Sequence, residues 1–79
     1  MSITAAKQHI LDTTGFSYNF DRQIYVNHKL KKAFSIEFVS DNDEKTLMER
    51  IATKTERWQF NFNVEPSESV KRDLEAVLG

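Results

Sequence analysis

Few residues in this chain have the type and spacing that chemistry needs. His9 and Asp12 stand three apart, close enough on one helical face to share a proton or a metal ion. A zinc site takes three or four ligands, and no second histidine follows at helical spacing. Cysteine is absent, which removes thiol nucleophiles, thiolate metal ligands and disulfides. Glycine occurs only at positions 15 and 79. That scarcity excludes the serine elbow, the P-loop and the dinucleotide fingerprint, whose tight turns require glycine. It excludes equally the GXXG clamp of KH domains and the glycine-containing RNP motif. No pair of titratable groups is placed by a recognisable catalytic motif. The expectation is a chain that is not an enzyme, with no metal and no cofactor.

Basic residues cluster more suggestively. Arg22, His28, Lys29, Lys31 and Lys32 fall within one short stretch, so residues 21–35 carry a net +3 and residues 36–49 a net −4. Cations on a projecting hairpin can grip phosphates while Tyr25 stacks on a base. The competing reading is a solvated tip whose charge keeps a sheet edge from pairing. The whole chain has a net charge of −1, so no global field favours nucleic acid or acidic lipid. The first contact set is therefore Arg22, Tyr25, His28, Lys29, Lys31 and Lys32, for nucleic acid or another partner.

The elements that must position these residues follow from periodicity. Ile3, Ala6, Ile10 and Leu11 share one helical face, Ser2 or Thr4 can cap its start, and Gly15 suits its end. Residues 16–21 alternate aromatic and polar and read either as a short strand or as a loop over the core. Residues 23–27 read as a strand, and residues 32–40 as a stronger one with Phe34, Ile36 and Phe38 on one face. The pair suits an antiparallel hairpin. Asp41 and Glu44 resemble a capping box before the stripe Leu47, Met48, Ile51 and Ala52. Trp58, Phe60, Phe62 and Val64 alternate with amides in a last strand. Pro66 ends it, and Ser67 caps a helix carrying Val70, Leu74, Val77 and Leu78, which Gly79 closes.

The result is one small α+β domain spanning residues 1–79, in the order α-β-β-α-β-α. Its sheet is mainly antiparallel, three-stranded, or four-stranded if residues 16–21 join it, with helices on one face. Phe34, Ile36, Phe38, Phe60 and Phe62 should be buried with Leu47, Ile51, Leu74 and Leu78. The polar residues Gln23, Tyr25, Asn27, Ser35, Glu37, Gln59, Asn61 and Asn63 should form a solvated opposite face.

This layout carries a tension. Three strands about 4.8 Å apart and helices about 8–10 Å apart leave room for two helices on one face, not three. The first helix has the weakest stripe and is expected at an edge or an interface. Ile3, Ile10, Leu11 and the strand-end Trp58 are accordingly the candidate interface residues. The leading functional expectation is a small regulatory or protein-interaction domain, binding another protein or a second copy as a homodimer. The alternative is a nucleic-acid-binding module using the hairpin around residues 22–32. No apolar run approaches the roughly 18 residues of a membrane span. The N-terminus lacks the pattern of a signal peptide, so no membrane partner and a cytoplasmic location are expected.

Overall fold

The computed structural model describes residues 3–63 and 66–78. The expectations placed on Ser2, Val64 and Gly79 lie outside the described residues. The order is α1 (Ala5–Thr14), β1 (Ser17–Asn19), β2 (Ile24–Asn27), β3 (Lys32–Ser35), α2 (Ile36–Asp41), α3 (Glu44–Ala52), β4 (Gln59–Asn61) and α4 (Glu68–Leu78). The strands form one sheet in the order β1-β2-β3-β4. The pairs β1/β2 and β2/β3 are antiparallel, and β4 joins β3 in parallel after the α2–α3 crossover. The α+β class and the mainly antiparallel sheet stand, with the aromatic segment after Gly15 supplying the fourth strand.

Local chemistry sets most boundaries. The Thr4 hydroxyl accepts from the Lys7 N–H at 3.2 Å and opens α1. Gly15, at φ 96°, ends it in the left-handed region that glycine enters without a Cβ penalty. The Phe16 N–H then donates to the Leu11 carbonyl at 2.9 Å, and both side chains enter one core. Strand β3 is shorter than residues 32–40 suggest. The Ser35 hydroxyl accepts from the Phe38 N–H at 3.0 Å and turns the chain into α2. Phe34 from the strand and Phe38 from the helix still meet, with ring centroids 5.3 Å apart. Asp43, not Asp41, caps α3, accepting from the Thr46 N–H at 2.7 Å. Ser67 opens α4 as expected, its carbonyl accepting from the Lys71 N–H at 3.0 Å.

The helices do not share one face of the sheet. Leu11, Phe16, Tyr25, Phe34, Phe38, Val39 and Leu47 form a core on the α1–α3 side. Ile24, Val26, Ala33, Leu74 and Leu78 form a second core under α4, joined by Trp58, Phe60 and Phe62. The physical reason lies in β2. Tyr25 faces the first core while its neighbours Ile24 and Val26 face the second, and all four residues of the strand are buried. Such a run belongs to a strand covered on both sides. The surplus helix of the one-face layout thus has its place, and it is α4 that moves across the sheet.

The solvated polar face is corrected with it. Tyr25, Asn27 and Ser35 are buried, and Gln59 and Asn61 are half-buried. Asn27 satisfies itself by donating to the Thr14 carbonyl at 2.7 Å and accepting from the Leu30 N–H at 2.9 Å. Of the expected core, Phe34, Phe38, Leu47, Leu74 and Leu78 are buried, while Ile36, Ile51, Phe60 and Phe62 are only half-buried.

Candidate functional site

Strand β1 is an edge of the sheet, and it ends in the most exposed large apolar residue of the described chain. Phe20 is 83% exposed. Its ring meets Tyr18 edge-on at 4.8 Å, and Tyr18 leans on Tyr25 at 4.9 Å, so a row of aromatic rings runs from the buried sheet out into solvent. The turn that follows is fixed by Asn19, whose side-chain oxygen accepts from the Arg22 N–H at 3.1 Å. Gln23 closes the turn at φ 55° and accepts from the Ile36 N–H at 3.3 Å. Phe20 is therefore held outward by an ordered turn. Beside it, on the α4 side, a depression of about 430 Å³ lies between β1 and Leu78 and is floored by Val26.

The hairpin set is divided by the structure. Arg22 lies in the turn before β2, whereas His28, Lys29 and Lys31 lie beyond its other end. Tyr25 cannot stack on a ligand, because it is 6% exposed and its hydroxyl donates to Gln8 Oε1 at 3.2 Å. Burial, with the neighbouring Tyr18 and Asp12, pushes its phenol pKa up and keeps it a donor. Lys32 is not at the surface either. It is 1% exposed, and its Nζ donates to the carbonyls of Arg50 at 2.5 Å, Ile51 at 2.6 Å and Thr53. These are the carbonyls left open at the end of α3, where a cation meets the negative end of the helix. Burial lowers the ammonium pKa.

Two cations take the place of those lost. The Gln59 N–H donates to the Lys31 carbonyl at 2.9 Å, which brings the α3–β4 loop alongside the hairpin turn. Lys54 and Arg57 from that loop join Lys29 and Lys31 at one end of the molecule, all four exposed. Half-buried Trp58 lies beside Lys31 and Arg57, its ring edge-on to His28 at 5.4 Å and parallel to Phe60 at 6.3 Å. More than twenty residues separate Lys31 from Lys54 in sequence; the parallel pairing of β3 with β4 and the Lys32 bonds to the end of α3 bring them to the same end of the molecule.

Among the candidate interface residues, Leu11 is fully buried, so helix α1 belongs to the core and not to a detachable edge. Ile3 and Ile10 are half-buried against that core. Ile10 also lines an apolar groove of about 220 Å³ between α1 and α3, with Met48, 55% exposed, beside it. His9 remains exposed, and Asp12 accepts from Gln8 Nε2 at 2.8 Å. Among the described residues there is no group of three or more histidine, aspartate or glutamate side chains able to hold a metal. No described helix is long and apolar enough to cross a membrane. Comparison with protein-family models, with curated proteins and with solved structures finds no match to this chain.

Proposed function

We propose that this chain is a small non-enzymatic protein-interaction domain, and that the protein it binds is a second copy of itself, joined edge to edge through β1. Phe20 carries the reading. A phenylalanine held by an ordered turn at 83% exposure, at the end of an open strand, is an apolar anchor without a pocket. The β1 edge is self-complementary. Antiparallel pairing about Tyr18 sets Ser17 of one copy opposite Asn19 of the other and extends the four strands to eight.

Charge bears on the same pairing. Antiparallel contact lays the Asp21–Arg22 turn of one copy near the end of α1 in the other, whose last turn has no basic residue; the pairing gains only if Arg22, and not Asp21, faces that negative end. A three-residue strand buries little backbone, and the two Phe20 rings supply much of the apolar area, about 150–250 Å² each when fully buried. The expected dimer is weak and concentration-dependent.

Sedimentation equilibrium tests it. The wild-type mass should rise from one chain toward two with concentration, while Phe20→Ser stays at one chain with an unchanged circular dichroism spectrum. A wild type that keeps the mass of one chain at millimolar concentration overturns the proposal.

A further inference from the structure

The opposite end of β2 carries a second surface, built from residues that the β1 edge does not use. Lys31 from the hairpin turn and Arg57 from the α3–β4 loop are exposed beside half-buried Trp58. A depression of about 350 Å³ is lined by Lys31, Arg57 and Trp58 together with Glu56 and Glu75. Exposed Lys29 and Lys54 line a second depression that shares Glu56 with the first. Among the described residues, none of the four cations hydrogen-bonds or ion-pairs through its charged group.

We infer that this end binds single-stranded nucleic acid, with a base stacking on Trp58 and the flanking phosphates held by Lys31, Arg57, Lys29 and Lys54. The aromatic–cation combination selects this ligand. Four cations against two carboxylates leave only a small positive excess, too little to hold a polyanion by charge alone. Stacking on an aromatic ring adds about 1–3 kcal/mol per base, and a single strand exposes base faces that a duplex hides. Trp58 is held in place: His28 and Phe60 flank its ring, and the bond from the neighbouring Gln59 N–H to the Lys31 carbonyl fixes the backbone beside it.

Trp58 is the sole tryptophan, so its fluorescence reports on this site alone. An oligothymidylate of about ten nucleotides titrated at about 50 mM salt should quench it. Log affinity should fall with log salt at a slope of about −2 to −3, as three to four phosphate contacts on a single strand require. Arg57→Gln and Lys31→Asn should each weaken binding several-fold and flatten the slope by about 0.7. Lys45→Ala, on α3 away from this end, should change neither. A duplex of the same length should bind more weakly and quench less. Lack of quenching at low salt overturns the inference, as does binding that Arg57→Gln and Lys31→Asn leave intact. A polyglutamate peptide of matched charge that binds and quenches as strongly as the oligonucleotide also overturns it, since the surface would then take acidic peptides.

Discussion

Lys32 shows how one side chain can be lost to a functional surface because the fold has a use for it. Its ammonium is withdrawn from water and donates to three carbonyls at the end of α3, tying a strand of the sheet to the helix packed over it. Truncation removes one donor shared by three partly buried carbonyls, a loss larger than that of an ordinary hydrogen bond. Lys32→Ala should therefore destabilise the protein by more than about 3 kcal/mol. Its neighbour Lys31 is exposed and sits at φ 55°, a backbone that asparagine tolerates. Lys31→Asn should shift stability by less than about 0.5 kcal/mol. Urea denaturation of the two variants checks the contrast between adjacent lysines that the sequence presents as equivalent.

Among the elements, α3 depends on Asp43 at its start as it depends on Lys32 at its end. The hydrogen bonds from Thr46, side chain and backbone, hold the Asp43 carboxyl below the usual carboxylate range. A carboxylate whose pKa is lower folded than unfolded stabilises the fold above the unfolded pKa, and the contribution is lost as pH falls through the folded one. Asp43→Ala should lower the thermal midpoint at neutral pH, and the gap from wild type should close as the pH drops below about 4. Differential scanning calorimetry across that range reads it.

The same elements show what the sequence made legible. Periodicity placed α1 and its Gly15 stop, the β2–β3 hairpin and the helices under Leu47 and Leu74, because each depends on neighbours close in the chain. It failed where one spacing serves two structures. Phe34 and Phe38, four apart, suit a strand face and a helix face alike, and the Ser35 cap decides for the helix. It also failed at Tyr25 and Asn27, whose polar atoms are satisfied by Gln8 and Thr14 of α1 and, for Asn27, also by Leu30 in the adjoining turn. Of the binding surfaces, His28, Lys29, Lys31 and Trp58 were readable singly. Their approach to Lys54 and Arg57 was not, because it depends on a parallel pairing and on the Lys32 bonds to the end of α3. Phe20 was not singled out because residues 16–21 read equally as a short strand or as a loop over the core; the turn after Asn19 leaves it in solvent.

At the scale of the molecule, the two cores share their central strands. Tyr25 and Phe34 serve one face while Ile24, Val26 and Ala33 serve the other, so neither core survives the loss of β2 and β3. Unfolding should be a single transition. Leu47→Ala, deep in the first core, should cost about 2–5 kcal/mol. Its effect should appear equally in the fluorescence of Trp58, which packs on the second core, and in far-ultraviolet circular dichroism. Separate midpoints for the two signals would show that the faces melt independently.

The position of α4 has a consequence for synthesis. Every buried residue of the first core lies at or before Leu47, and Ile51 follows one helical turn on, so that core precedes α4 in synthesis. The other face of the same sheet then presents Ile24, Val26 and Ala33 bare until Leu74 and Leu78 are translated. For the interval of about thirty residues between them, at roughly 5–20 residues per second, the chain already made lacks the helix that covers that face. The last helix closes that face only once Leu74 and Leu78 have been made.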